Sequence, residues 1–263
     1  VTSTADTRRT ADLADGWRLA LGTLTALRVR PPATVTRRSA CYAMAFAPLT
    51  AVPAAIVMIA VAYAATAIDL PTLGCGVILV AVSALMTRAL HLDGLSDTAD
   101  GLSASYDPVR SLTVMKSGTA GPSGVVALII VLGLQVAGLS ALADSADGAI
   151  LAGGAFIASR ASLAVCCCRG VPSARPTGLG SVFAGCVPKP LVAAIVVAAT
   201  GVVTAAAVHA GLEVWRGPSA VIGGLIPVLL LLSRTRKRFG GVTGDVMGAC
   251  VEVAFATTVV LLA

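Results

Sequence analysis

The chain has 263 residues and a net charge of +6, with 57% apolar and only 12% charged residues. Soluble domains average about 45–50% apolar and about 25% charged residues, so a fold that keeps this much apolar surface from water is excluded, and the mean hydropathy of +0.91 points to a bilayer. The excess of Lys and Arg forms no basic stripe with interleaved aromatics, which make up just 4% of the chain, so no nucleic-acid partner is expected.

In chain order, residues 1–40 are polar and Arg-rich and lack the apolar core and small-residue cleavage site of a signal peptide. Residues 11–27 are expected to form a short interfacial helix, with Leu13, Trp17, Leu21 and Leu24 along one side. A disordered tail is an open alternative for residues 1–10. Seven apolar blocks follow, at about 41–68, 73–90, 123–143, 148–168, 190–212, 218–233 and 246–263, against the roughly 20 residues needed to cross a bilayer. Pro48 and Pro53 predict a kink or an oblique entry in the first block. The sixth block is short, contains Pro227, and is the least able to stand alone as a span. Ala, Gly and Val dominate these blocks and allow helices to approach closely. The expected fold is all-α, a polytopic membrane bundle of about seven helices, with a cytoplasmic segment 1–40 and a transmembrane catalytic domain 41–263.

Charge predicts the orientation. Basic residues crowd the N-terminal segment and the loops after the second, fourth and sixth blocks. Of the 19 Lys and Arg, only Arg216 falls in a loop on the other side, while Arg88 and Arg160 lie within blocks. The opposite loops carry Asp69, Asp144, Asp147 and Glu213. The positive-inside rule makes this N-in and C-out in the bacterial cytoplasmic membrane. Cys166, Cys167 and Cys168 lack the spaced pairs of a zinc site and are expected to be packed thiols.

The chemistry-bearing residues fall on the basic side. The segment His91-Leu92-Asp93-Gly94-Leu95-Ser96-Asp97-Thr98-Ala99-Asp100-Gly101-Leu102 follows directly on the second block. On a helix, positions i, i+4 and i+7 lie at about 0°, 40° and −20°, so Asp93, Asp97 and Asp100 face one way. Three like charges repel unless a cation sits among them, and hard carboxylates beside a phosphate suit Mg²⁺. The plainer alternative is a solvated acidic turn. The stretch Arg238 to Gly248 joins a cationic cluster to a glycine-rich turn ending in Asp245, a further ligand or a base. Glu252, one heptad on, is an intramembrane carboxyl that is either functional or paired with Arg160 or Arg88. A turn from Met115 to Gly124 offers Lys116 beside a helix N-terminus, without Walker spacing. Arg175 lies in another polar, glycine-containing loop, and His209 is expected at the far interface. Acids, cations and glycine turns converging at one surface describe metal-assisted phosphoryl transfer.

The first segment closely resembles the HLDGLADTADGL hallmark of the cobalamin synthase family, the adenosylcobinamide-GDP ribazoletransferases. Gly240 to Ala249 resembles that family's GGVTGDVLGA segment, Glu252 matches the acidic position beyond it, and Arg175 with Gly178-Leu179-Gly180 resembles its central motif. Where the family commonly reads MKDSRIGTFG, this chain has Met115-Lys116-Ser117-Gly118-Thr119-Ala120-Gly121-Pro122-Ser123-Gly124, without the Asp and the Arg. The resemblance implies that a hydroxyl of α-ribazole, or of its 5′-phosphate, attacks the cobinamide-bearing phosphorus of adenosylcobinamide-GDP, releasing GMP and forming adenosylcobalamin or its phosphate. Asp93, Asp97, Asp100 and Asp245 are then the expected Mg²⁺ ligands, with Asp97 and Asp245 catalytic. His91, Lys116, Arg175, Arg238 and Thr243 are the expected substrate contacts. A homo-oligomer is left open. Two rivals remain. A CDP-alcohol phosphotransferase would also use spaced aspartates, but no Ala-Arg follows Asp93-Gly94 at the required distance. A cation or small-solute transporter would place polar groups at mid-bilayer on several helices.

Overall fold

A computed structural model describes the backbone of residues 4–263, with side chains from residue 9. Helix α1 (Thr4–Leu24) is followed by α2 (Arg37–Thr50), α3 (Val52–Ala67), α4 (Thr72–Met86) and α5 (Leu90–Ala104). Then come α6 (Pro108–Val114), α7 (Pro122–Leu142), α8 (Ala146–Ser159), α9 (Ala161–Cys166) and α10 (Leu179–Phe183). Last are α11 (Lys189–His209), α12 (Arg216–Phe239) and α13 (Gly244–Leu262). Only two isolated β-bridges occur among the described residues.

Six helical stretches are long and apolar enough to cross a membrane: 37–67, α7, the α8–α9 stretch 146–166, α11, α12 and α13. A seventh span is reached only by counting α4 with α5, which bend away from each other by 92°. The block at 218–233, doubtful from sequence, belongs to a continuous 24-residue helix despite Pro227. The break expected in the first block is real: α2 gives way to α3 at Ala51, between Pro48 and Pro53.

The bundle is centred on α8–α9 and α13, whose spanning windows are 83% and 72% buried, against 28–39% for the other four. Outer faces carry Ile129, Ile130, Val197, Ile222 and Leu230 in the open. That outward apolar face suits hydrocarbon and not water.

The N-terminal segment is no tail from residue 4 onward; residues 1–3 lie outside the described part. Helix α1 packs on α2, with Trp17 edge-on to Phe46 at 5.6 Å and Ala20 and Leu24 buried. The linker back to α2 is fixed by Asp15, whose carboxylate accepts from the N–H groups of Ala33 (2.9 Å) and Thr34 (3.0 Å). These two bonds hold its carboxyl below the usual carboxylate range. Thr36 and Ser39 then start α2 with a reciprocal capping box.

One crossing places the acidic motif. After α4 the chain turns through Arg88 and Ala89, both at positive φ (56° and 53°), a conformation that costs about 1–2 kcal/mol per non-glycine residue. Helix α5 then lies across the end of α13. The two backbones touch: a Cβ on Gly94 would stand 2.6 Å from the carbonyl oxygen of Asp245, and one on Gly248 would stand 3.0 Å from Cα of His91. Gly94→Ala is therefore expected to destabilise the folded protein by about 1–3 kcal/mol through overpacking. Gly133→Ala, on the exposed face of α7 with nothing within 4 Å, should leave stability unchanged or slightly raised. Thermal unfolding of both variants in detergent checks the contrast.

Candidate active site at one end of the bundle

The N-termini of α2, α7, α11 and α13 and the C-termini of α4, α9 and α12 meet at one end, where α5, α6 and α10 also lie. Every motif singled out in the sequence is here, except Glu252, which sits deeper along α13.

Asp93 is exposed and Asp97 half-exposed on α5, on the side of Asp245 at the start of α13. The carboxyl of Asp97 is pushed up to about 6, first by partial desolvation and then by the like charges of Asp93, Asp245 and Asp100. Arg175 alone acts the other way, with Nη1 3.9 Å from Oδ2 of Asp245. Its Nη2 donates to the Leu112 carbonyl at 2.7 Å, and its loop is tied to the turn before α13 by paired backbone bonds between Pro172 or Ala174 and Val242. The cluster therefore carries more negative charge than its neighbours balance, and a divalent cation fits it on those grounds. Among the described residues, no three His, Cys, Asp or Glu side chains are gathered closely enough to hold a metal by themselves.

The three aspartates of the motif do not share one environment. Asp100 is buried, and its two oxygens accept from the N–H groups of Gly121 (2.7 Å) and Gly124 (2.8 Å). It caps the N-terminus of α7, where the helix dipole favours an anion. The sequence placed the three on one helical face but gave no sign that the α7 N-terminus would claim one of them.

The expected phosphate contacts divide as well. Thr243 caps α13, accepting from Val246 N–H at 3.2 Å and donating to Asp245 at 3.1 Å. Arg238 is turned inward, donating to the Ser105 carbonyl and lying 4.2 Å over the Tyr106 ring. It pins the end of α5 to α12. Lys116 is exposed on the 115–121 turn and forms no ion pair with these carboxylates among the described residues. Arg37, Arg169 and Arg175 share an open basin beside the site, so Arg37 and Arg169 join the cations the sequence had marked.

Deeper in the bundle, Glu252 accepts from Nε2 of Gln135 at 2.6 Å, with Nδ1 of His91 3.8 Å from its other oxygen. Arg160 is buried at the α8–α9 break, donating to the Phe156 carbonyl (3.0 Å) and Ser159 (2.8 Å). Its charge reaches Glu252. Arg88, the other proposed partner, is exposed and bonded to the Gly22 carbonyl. Gln135 went unmarked in the sequence, although a lone amide inside an apolar block is the signal that finds such groups. His91 is also buried within this group and is no surface phosphate contact. His209, expected at the far interface, is exposed there, 3.4 Å from Asp147. All seven cysteines are free.

Comparison with known proteins decides what this arrangement belongs to. The profile of the family described as cobalamin-5-phosphate synthase matches residues 16–263. The chain belongs to that family. A relative from Nocardioides sp., named adenosylcobinamide-GDP ribazoletransferase, is 49% identical over 93% of this chain and 96% of its own length. Relatives of the same name from Frankia casuarinae (34% identity, 94% of this chain, 93% of that one) and Pseudomonas aeruginosa (34%, 93% and 96%) are similar along their length. No solved structure matches. The family match takes in both acidic motifs and the loop of Arg175.

The split among the carboxylates has a measurable consequence. Asp100→Ala should lower stability by about 1–3 kcal/mol, since it strips a buried cap of charge-assisted bonds. Asp97→Asn removes a charge facing other carboxylates and should leave the melting temperature equal or higher. Thermal melts of the two variants without added metal test this.

Proposed function

We propose that this protein transfers the adenosylcobinamide phosphoryl group of adenosylcobinamide-GDP to α-ribazole or its 5′-phosphate, giving adenosylcobalamin or its phosphate and GMP. Family membership and the names of relatives matched over more than nine-tenths of the chain support the reaction. The observation that carries the chemistry is the under-compensated cluster of Asp93, Asp97 and Asp245 beside Arg175.

In this reading Asp93, Asp97 and Asp245 hold Mg²⁺, and Asp100 supports them by fixing the start of α7. The ion, when bound, screens the pyrophosphate and offsets charge on the leaving phosphate. Asp245 borders both the apolar cleft behind it and the small polar pocket of Arg175 and Gly178. In this reading it takes the proton of the attacking hydroxyl. The oxygen of that hydroxyl forms a bond to the cobinamide-bearing phosphorus as the phosphorus–oxygen bond to GMP breaks, and the proton passes to the carboxylate. Arg175 stays beside the phosphates, with Arg37 and Arg169 lining the approach. Lys116 is a weaker contributor from its exposed turn.

The remaining expectations fit this reading. The basic residues cluster at the site end, and the positive-inside rule supports an active site on the cytoplasmic face, in an N-in and C-out chain of the cytoplasmic membrane. Assembly into homo-oligomers is compatible with it.

Purified protein in liposomes, given adenosylcobinamide-GDP and α-ribazole, should release GMP and form cobalamin only with Mg²⁺ present. Asp93→Ala, Asp97→Ala and Asp245→Ala should each lower kcat on the order of 10²-fold or more, with a smaller loss for Lys116→Ala. Metal-independent turnover, or full activity of Asp97→Ala, would overturn the assignment.

A further inference from the structure

We infer that the open basin of Arg37, Arg169 and Arg175 seats the phosphate of the leaving nucleotide, so that the guanosine end of the donor points towards the start of α2 and the loop between α9 and α10. The inference rests on the transferase reading above and adds which way the donor lies and which cations receive the departing charge.

The basin has a volume of about 660 Å³, within the roughly 300–1,000 Å³ of small-molecule sites. Its lining contains three arginines and no Asp or Glu. These cations come from separate parts of the chain, and each is set by a bond to backbone. Arg37 opens α2, and its Nη2 donates to the Gly185 carbonyl at 2.7 Å. The Arg169 N–H donates to the Val187 carbonyl at 2.8 Å, and the Val187 N–H returns to the Cys167 carbonyl at 2.9 Å. Arg175 is held through the Leu112 carbonyl. The Arg169 side chain itself makes no hydrogen bond or ion pair among the described residues, which leaves its guanidinium fork open to a phosphate.

The position of Arg175 decides which phosphate. It lines the basin and also stands 3.9 Å from Oδ2 of Asp245, so the basin and the carboxylate cluster meet at this one side chain. In the donor, a single bridging oxygen joins the leaving phosphate to the reacting phosphorus. A phosphorus held at the carboxylates therefore brings its neighbour to Arg175 and the basin beyond. The acceptor fits less well: sugar carbons separate its 5′-phosphate from the ring hydroxyls, and α-ribazole carries no phosphate at all. The amide rim of cobinamide offers the arginines no anion.

When the bridging phosphorus–oxygen bond breaks, its electron pair stays on the GMP oxygen and that phosphate gains negative charge. Guanidinium groups already in place stabilise such charge as it develops. Attacking and leaving oxygens lie roughly in line, so the acceptor hydroxyl enters from the side away from the basin.

Two measurements on the full-length protein in detergent test this. First, wild-type protein with Mg²⁺ is treated with phenylglyoxal, which modifies accessible guanidinium groups, and the modified arginines are mapped by mass spectrometry. GMP should protect Arg37 and Arg169, and α-ribazole 5′-phosphate should not. Arg38 and Arg236, exposed and outside the basin, should react equally throughout. Protection by α-ribazole 5′-phosphate in place of GMP, by both alike or by neither overturns the assignment. Second, Arg169→Ala should raise KM for adenosylcobinamide-GDP and the inhibition constant of GMP about tenfold or more. KM for α-ribazole should stay unchanged, and Arg169→Lys should fall between. A rise confined to α-ribazole 5′-phosphate gives the basin to the acceptor, and an unchanged GMP constant leaves its arginines as a solvated flank; either sinks the inference. The wild-type protection map decides if a variant fails to fold. Wild-type turnover separates the two readings: a protein that makes cobalamin without GMP protecting the basin sinks only the donor orientation, whereas one that makes none sinks the transferase reading with it.

Discussion

The backbone contact between α5 and α13 is the constraint on which the site depends. Gly94 and Gly248 let a helix of three aspartates lie directly on the helix that begins with Asp245. Without that approach the carboxylates would stand apart, each solvated and each ordinary. With it, like charges face one another and only Arg175 balances them. That repulsion costs stability, and a bound cation, as the proposed function requires, would offset it. Asp100 holds the other end of α5 against α7, and Arg238 fixes its C-terminus to α12.

Beneath the carboxylates, polar groups are buried where a membrane protein can least tolerate them unpaired. Gln135 donates to Glu252, Arg160 turns to its own helix and to the Phe156 ring, and the His91 ring nitrogens and the Gln135 side-chain oxygen are left without partners. The Gln135–Glu252 bond joins α7 to α13 by a directional contact that hydrocarbon packing alone does not supply. The interior is thus tied together by polar contacts close to where the acidic motif begins.

Much of this was legible in the sequence because its signals are local. Blocks of apolar residues gave the helices, and Pro48 with Pro53 gave the break in the first. The spacing of Asp93 and Asp97, followed at a distance by Asp245, gave the acidic cluster. What the sequence concealed depends on contacts between distant segments. Asp100 looks like its two neighbours until α7 arrives to take both its oxygens. Arg238 reads as one more surface cation until the Ser105 carbonyl and Tyr106 draw it inward. The α4–α5 corner was hidden too, because Arg88 and Ala89 carry no glycine or proline to announce a turn, and the apolar run appeared to continue through it.

That corner also fixes how deep the chemistry lies. Fifteen residues of α4 rise about 22 Å, short of a hydrocarbon core roughly 30 Å thick, whereas the 21 residues of α7 rise about 31 Å. Helix α5 therefore starts below the rim set by its neighbours. A site set at that depth would be reached past the lipid surface, so the charge and thickness of the surrounding bilayer would bear on how readily the acidic end of the bundle is filled.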